Sequence, residues 1–250
     1  MTDLSGKTAL VTGGGTGVGA AIAAALAEAG AKTTICGRSE EPLKALAEQH
    51  SAMSWATADI TDEAAVTKLF EARGPFDIVI ANAGAAESAP LARTDLAQWQ
   101  RMIDVNLTGA FLTLREAQRA LGKADWGRLI AIASTAGLKG YGYVAPYCAA
   151  KHGVVGLIRA LALETAGSGI TANAVCPGFT ETPLLEESIA NIVAKTGQSE
   201  ADARAALTKT NPLGRFIQPE EVAAAVLWLV GNGSDAITGQ AISVSGGETW

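Results

Sequence analysis

The feature that most constrains the fold is the regular alternation of short apolar runs with longer helical segments along the whole chain. Parallel strands need a long crossover between them, and a helix is the usual one, so this alternation predicts an α/β chain with a doubly wound parallel sheet. Strand-like runs lie at 7–12, 32–36, 54–58, 76–81, 128–133, 170–175 and 240–244. Helix-like segments lie between them, at 20–29, 41–49, 62–72, 95–121, 147–166 and 220–230.

A glycine-rich turn, Gly13-Gly-Gly-Thr-Gly-Val-Gly19, joins the first strand to the first helix. Glycines let the backbone approach a pyrophosphate closely, and the free amides and dipole at a helix start favour its negative charge. The turn lacks the Gly-Lys-Ser/Thr ending of a Walker motif, so the pattern implies a nucleotide diphosphate but not NTP hydrolysis. The residues expected at the phosphates are Gly13, Thr16, Gly17, Val18 and Gly19.

Composition agrees with one soluble enzyme domain spanning residues 1–250. A chain of 250 residues with 48% hydrophobic content can bury a large core. Its three cysteines are far apart in sequence, which is typical of a reducing cytosol, and no signal peptide or membrane-spanning run is visible, so we expect a cytoplasmic protein. The net charge of -6 with no basic run argues against nucleic acid as a partner. The two histidines lack partners at ligand spacing, so no metal site is expected.

Tyr147 and Lys151 are four residues apart in a predicted helix, and Ser134 follows the apolar run 129–133. Positions i and i+4 share a helix face, so the phenol and the ammonium can point into one cleft beside the serine. A nearby cation favours the phenolate, and we expect it to lower the pKa of Tyr147 by about one to three units from about 10. In isolation such a pair is more often an ordinary helix surface. In the context of the other motifs it predicts a proton-transfer site.

Taken together, these motifs resemble the short-chain dehydrogenase/reductase family. The resemblance extends from Leu4 to Ser245-Gly246-Gly247, with all elements in the family's order. The chain departs from the family pattern at Ala81, where an asparagine is common, and at Cys148, where serine is common. Neither departure touches the chemistry. The matching elements are the glycine turn, Asn82-Ala83-Gly84, Asn106, Ser134, Tyr147, Lys151 and Pro177-Gly178.

The resemblance implies an NAD(P)-dependent oxidoreductase with a single-domain Rossmann-type fold. It implies that Tyr147 donates a proton to a ketone oxygen, that Ser134 hydrogen-bonds the same oxygen, and that Lys151 holds the nicotinamide ribose. Asn106 would kink its helix and anchor a water that leads protons to Lys151. The further residues implied at the cofactor are Asp59, Ile60, Asn82, Ala83, Gly84, Pro177, Gly178, Thr180 and Thr182.

Cofactor choice is predicted from the end of the second strand, where Gly37-Arg38 stands in place of an acidic residue. A guanidinium can bind a 2′-phosphate bidentately, so we expect NADPH/NADP to be preferred over NADH. The alternative is a solvated turn arginine, because Thr16 stands where some NADP-dependent relatives carry a second basic residue. Asp59 is implied to contact the adenine amino group, and the alternative is that it caps the turn before Thr61.

An insertion at about 181–211 is rich in helix formers and resembles the family's helical substrate lid. Its amphipathic pattern predicts an apolar face at Leu185 and Ile189 that a bulky ketone could fill. Tyr141 and Tyr143 precede the catalytic tyrosine, and they either wall the same pocket or fill a loop crevice.

The helix that begins near Tyr147 is apolar around most of its circumference, so it must be covered on both sides. One side meets the sheet and the other needs a second subunit. This agrees with the family's usual homodimers and homotetramers.

Within the family, residues 147–183 are similar to 3-oxoacyl thioester reductases and aromatic polyketide ketoreductases. Two departures limit the comparison. Residues 85–88 replace a Pro-Gly-Gly of polyketide enzymes, and Asp125 and Ser168 stand where carrier-protein reductases present arginines to their acidic carrier, at positions expected near the cleft mouth. An acyl carrier protein is therefore a less favoured partner than a CoA thioester or a free ketone.

We therefore expect an NADPH-dependent carbonyl reductase that acts on a 3-oxoacyl-CoA or a related small-molecule ketone and is reversible as a secondary-alcohol dehydrogenase. One alternative is an NAD(P)-dependent dehydrogenase of a cyclic or aromatic alcohol or of a 3-hydroxyacyl-CoA. Another is a catalytically silent nucleotide-binding subunit.

Overall fold

The computed structural model describes residues 2–249 and contains one sheet of seven parallel strands. The strand order is β3-β2-β1-β4-β5-β6-β7, which reverses direction between β1 and β4. The predicted doubly wound Rossmann-type sheet is confirmed, and ligands in such sheets bind beyond the carboxyl ends of the strands at the reversal. The strands are β1 (Thr8–Thr12), β2 (Lys32–Gly37), β3 (Met53–Thr57), β4 (Ile78–Ala81), β5 (Gly127–Ile132), β6 (Ile170–Pro177) and β7 (Ala241–Val244).

Helices connect these strands, and four of the nine α-helices in residues 2–249 begin at a side chain that caps the first turn. Asp62, Asp95, Thr182 and Ser199 each accept a backbone N–H bond at the first turn, which satisfies amides that a helix start leaves unpaired. The helices are α1 (Gly17–Glu28), α2 (Glu40–Ala47), α3 (Glu63–Arg73), α4 (Leu96–Ile103), α5 (Gly109–Leu121), α6 (Ala145–Glu164), α7 (Pro183–Thr196), α8 (Glu200–Thr208) and α9 (Pro219–Val230).

Two apolar cores lie on opposite faces of the sheet. One is formed by α3, α5 and α6, and the other by α1, α2 and α9. Neighbouring residues of a strand enter different cores, as Leu10 and Val11 of β1 do, because successive side chains point to opposite faces. None of the helices within residues 2–249 is both long enough and apolar enough to cross a bilayer.

The insertion between β6 and α9 forms two helices, α7 and α8, as expected from its helix formers. Leu185 and Ile189 are buried against Ala203 and Phe216, so they form a small core of the lid itself. This corrects the expectation that they present an apolar face to substrate, because the packing of α7 on α8 already covers them. Arg204 of α8 adds ion pairs with Glu181, Glu186 and Glu200.

Candidate active site

The glycine turn lies at the carboxyl end of β1 and needs glycine for backbone approach. A Cβ on Gly19 would lie 2.2 Å from the carbonyl oxygen of Gly13, which itself has a positive φ of 63°. The first turn of α1 has no acidic residue, and Thr16 at its start makes no side-chain capping bond. The amides of this helix start are therefore free for an anion, so the turn fits the pyrophosphate of a dinucleotide.

Asn82, at the end of β4, fastens the glycine turn from the neighbouring strand. Its side-chain amide donates to the carbonyl oxygens of Thr12 at 2.9 Å and of Gly13 at 3.2 Å. The Thr12 hydroxyl in turn accepts the backbone amides of Asn82 and Ala83. Thr12 is the first residue of the glycine motif in the sequence, but its role in holding Asn82 was not predicted, because that role depends on the neighbouring strand.

Arg38 is exposed just after β2 and, within the described chain, makes no hydrogen bond or ion pair to another residue. The Asp59 carboxylate accepts bonds from the backbone amide and the hydroxyl of Thr61, at 2.9 and 2.7 Å. These bonds lower the pKa of Asp59, and the Arg38 charge contributes a smaller effect in the same direction. The alternative role of Asp59 as a turn cap is thus present, and one carboxylate oxygen stays free for adenine.

Three further residues implied at the cofactor surround the same edge. Ile60 is buried against the start of α5, where a Cβ on Gly109 would lie 2.1 Å from its Cδ1. The methyl group of Thr182 lies 3.2 Å from the position that a Cβ on Gly17 would take, so the base of the lid touches the glycine turn. The Thr180 hydroxyl donates to the carbonyl oxygen of Gly178 at 2.9 Å, just after Pro177 at the end of β6.

Ser134, Tyr147 and Lys151 come together at this edge. Ser134 follows β5, and the two other residues lie in the first two turns of α6, with the Lys151 ammonium 5.6 Å from the centroid of the Tyr147 ring. Lys151 is 4% exposed, and its ammonium donates to the carbonyl oxygen of Ile132 at 2.9 Å. A helix and an adjacent strand end thus place a hydroxyl, a phenol and an ammonium around one cleft.

The pKa values of the pair differ from our expectation for the tyrosine. Burial raises the pKa of Tyr147, and a hydrogen bond with Ser134 acts in the opposite direction. Burial also lowers the pKa of Lys151 to about 8. The predicted lowering of the Tyr147 pKa was wrong, because loss of hydration has the largest effect, while the Lys151 ammonium donates its hydrogen bond to the Ile132 carbonyl oxygen. At neutral pH the phenol therefore keeps the proton that a ketone oxygen needs.

Asn106 lies in a π-helical turn, Asp104–Thr108, which interrupts the single helix predicted over 95–121. Its side-chain amide donates to the carbonyl oxygens of Met102 at 3.0 Å and Ala85 at 2.9 Å. Its Oδ1 lies 2.8 Å from the position that a Cβ on Gly84 would take, so only glycine fits there. The helix distortion expected of Asn106 is present, and its role in a water relay stays a prediction.

The loop after Ser134 holds Tyr141 and Tyr143 in different environments. Tyr143 is 69% exposed, whereas Tyr141 packs edge-on against Phe179 with ring centroids 6.0 Å apart. The Tyr141 hydroxyl donates to Glu248 at 2.6 Å, a residue of the C-terminal tail that our sequence reasoning missed. No local pattern marks Glu248, because its partner is 107 positions away.

Asp125 and Ser168 lie in adjoining loops before β5 and β6, as the bond from the Gly169 amide to the Ala124 carbonyl oxygen at 3.1 Å shows. These loops are at the amino ends of the strands, whereas Tyr147 is at the carboxyl ends. The expectation that they flank the cleft mouth was therefore wrong for the cleft of the same chain, because parallel strands separate the two edges by their full length.

Comparison with known proteins agrees with this arrangement. The family model described as short chain dehydrogenase matches residues 7–192. A D-beta-hydroxybutyrate dehydrogenase of Rhizobium meliloti is 36% identical over 254 residues, which cover 97% of this chain and 98% of that protein. A 3-oxoacyl-acyl-carrier-protein reductase of Rickettsia prowazekii is 35% identical over 248 residues, covering 99% and 98%.

Among solved structures, a variant of actinorhodin polyketide ketoreductase crystallised with NADPH superposes with a TM-score of 0.90. It is 37% identical in sequence, and the match covers 97% of each chain. The similarity therefore extends over the lid and the sheet alike.

Proposed function

The chain belongs to the short-chain dehydrogenase/reductase family and is an NAD(P)-dependent oxidoreductase of the ketoacyl reductase type, and from that premise we propose that it uses NADPH to reduce a 3-oxoacyl thioester or a related ketone. The observation that carries the proposal is the cleft formed by Ser134, Tyr147 and Lys151 beside the glycine turn. Its phenol is protonated at neutral pH, which is the form that reduction of a ketone requires.

The residues that would hold the cofactor form a continuous path along the carboxyl edge of the sheet. The free amides of residues 17–19 suit the pyrophosphate, Arg38 suits a 2′-phosphate, and Lys151 suits the ribose beside the nicotinamide. When bound, NADPH supplies the hydride that reaches the carbonyl carbon. The guanidinium of Arg38, exposed and unpaired within residues 2–249, is the feature that favours the phosphorylated cofactor.

The chain's own contribution is to bind and protonate the ketone oxygen. In this proposal Ser134 donates a hydrogen bond that fixes the oxygen, and Tyr147 transfers its proton as negative charge develops there. Lys151 then stabilises the phenolate that is left on Tyr147. In the reverse direction the phenolate must accept a proton, so the raised pKa of Tyr147 makes alcohol oxidation favour alkaline pH.

The thioester proposal draws on the relatives, whose names include a 3-oxoacyl reductase and a polyketide ketoreductase. The hydroxybutyrate dehydrogenase among them supports a 3-hydroxyacyl compound as the alcohol in the reverse direction. Assembly as a homodimer or homotetramer and a cytoplasmic location stay predictions.

The proposal is tested by following NADPH absorbance with acetoacetyl-CoA and a panel of cyclic and aromatic ketones. We expect turnover with the thioester. For Tyr147→Phe we expect kcat to fall by several orders of magnitude, because the proton donor is removed, and NADPH binding to be retained, because the fold is unchanged. No turnover of any ketone by the wild type would reject the proposal. Full turnover by Tyr147→Phe would reject the assignment of the proton donor.

A further inference from the structure

A buried polar chain joins the C-terminal tail to the loop of the catalytic serine, and the mechanism above does not use it. The Glu248 side chain is 1% exposed, and its Oε1 accepts a hydrogen bond from the Tyr141 hydroxyl at 2.6 Å and pairs with the Lys139 ammonium at 3.0 Å. The Tyr141 hydroxyl is also 2.6 Å from the Thr135 hydroxyl. Thr135 directly follows Ser134.

The number of protons available fixes which group is the donor in each of these hydrogen bonds. A tyrosine hydroxyl carries one proton, and an ionised carboxylate only accepts. Because the Tyr141 hydroxyl donates its hydrogen bond to Glu248, its oxygen must accept the hydrogen bond from the Thr135 hydroxyl. Burial, followed by the bond to Glu248, raises the pKa of Tyr141. The Tyr141 proton is held in the hydrogen bond to Glu248, so it is not available to a substrate oxygen.

The carboxylate is held in place at a cost in stability. Its second oxygen, Oε2, is buried without a hydrogen-bond partner in the described chain and lies 3.2 Å from the position that a Cβ on Gly178 would take. A buried acceptor without a donor destabilises the folded state. Buried polar atoms without a partner occur mostly at functional sites. The residues that Glu248 contacts are therefore candidates for a functional role.

We propose that Glu248 is a positioning residue that fixes the catalytic serine through Tyr141 and Thr135. The turn Thr135–Gly137 restricts the position of Ser134, because the Ser134 Oγ accepts a hydrogen bond from the backbone amide of Ala136 at 3.1 Å. A Cβ on Gly137 would lie 2.7 Å from the Lys151 carbonyl oxygen, so this turn is also packed on α6. A shift of Thr135 therefore displaces Ser134 relative to Tyr147. This inference rests on the proposed function for its kinetic consequence.

The test compares Tyr141→Phe, Glu248→Ala and the double variant. We expect each single variant to lower kcat about 10- to 100-fold, since small misplacements of a catalytic group have effects of this size. The KM for NADPH should stay within about twofold, because the phosphate-binding turn is not part of the chain of bonds. The double variant should be no slower than the slower single variant, because both changes break one path. Glu248→Gln should retain most of kcat, since its amide oxygen still accepts the Tyr141 proton.

The matched control is Thr249→Val, which removes a hydroxyl from the same tail, bonded to Ser243 at 2.6 Å and not to Tyr141. It should keep the wild-type kcat. An equal loss in Thr249→Val, multiplied losses in the double variant, or an unchanged kcat in Tyr141→Phe would each overturn the inference. If Glu248→Ala does not fold, Tyr141→Phe and Glu248→Gln carry the kinetic comparison.

Crystal structures of the wild type and of Tyr141→Phe separate this inference from the proposed function. A displaced Ser134 Oγ relative to Tyr147 supports the positioning role even if the wild type reduces no ketone, in which case only the proposed function fails. An unmoved Ser134 overturns the positioning role whatever the wild type turns over.

Discussion

At the residue scale, cofactor choice depends on Arg38, which stands free at the end of β2 near Asp59. Loss of a charge-assisted bond to a phosphate costs about 1.5–3 kcal/mol, or roughly ten- to a hundredfold in affinity. We therefore predict that Arg38→Ala weakens NADPH binding by this factor and leaves NADH nearly unchanged. Titration calorimetry with both cofactors measures the effect, and Lys32→Ala, which removes an exposed cation at the other end of β2, is the control. Equal losses for both cofactors would mean that Arg38 has a structural role.

Lys151 gives the protein a pH dependence of stability whose sign follows from its burial. Its folded pKa is about 8, below the 10.5 of a free lysine, so the unfolded chain binds more protons between these values. Stability therefore rises with pH in this window. Relative to Lys151→Met, the wild-type free energy of unfolding should increase by up to about 2–3 kcal/mol between about pH 8 and pH 10. Urea denaturation at the two pH values tests this, and a difference that falls with pH would contradict it.

Local sequence patterns predicted which side chains meet at the carboxyl edge of the sheet, but not their electrostatics. The spacing of Tyr147 and Lys151 sets the face they share, and the strand end places Ser134 beside them. The pKa of Tyr147 depends on its burial in the folded chain, which no local pattern contains. Glu248 was missed for the same reason, since its partners belong to another part of the chain.

At the element scale, every strand lies within a few residues of its predicted position, because buried parallel strands are continuous apolar runs. The helix over 95–121 was predicted as one piece and is two, joined by the π turn. Asn106 was expected to distort it, and its amide donates both to Met102 of the same helix and to Ala85 of another segment, which local sequence did not predict. The lid is divided into α7 and α8 at Gly197, whose left-handed φ of 71° ends α7.

The lid is tied to the loop after β4 by two bonds to Ser88. Asn191 donates to the Ser88 hydroxyl at 2.9 Å and Lys195 to its carbonyl oxygen at 2.8 Å. We predict that Asn191→Ala with Lys195→Ala raises the KM for the ketone severalfold, because the lid loses its fixed position over the cleft. The Tm should change little, since exposed polar bonds contribute about 1 kcal/mol or less each.

Lys209→Ala provides the matched control for the lid, as it removes an exposed ammonium just after α8. Its KM should equal that of the wild type. A double variant with unchanged KM, or a control with the same increase, would show that the two bonds to Ser88 do not position the lid.

At the scale of the whole molecule, the net charge of -6 opposes an acidic protein partner. We predict that a 3-oxoacyl-CoA is reduced with a kcat/KM at least equal to that of the same acyl group on a carrier protein. Added salt should not weaken turnover of the carrier-bound form, because screening of exposed charges beyond about 8 Å would reduce repulsion here rather than attraction. A large preference for the carrier that salt abolishes would contradict this prediction.

The three thiols differ in burial. Burial raises the pKa of Cys36 to about 12 and that of Cys176 to about 11, so both stay protonated and enclosed. Cys148 is partly exposed and is the next residue after Tyr147. A mild alkylating reagent should therefore modify a single position beside the proton donor. A fluorophore attached there would report directly on whether the cleft is filled.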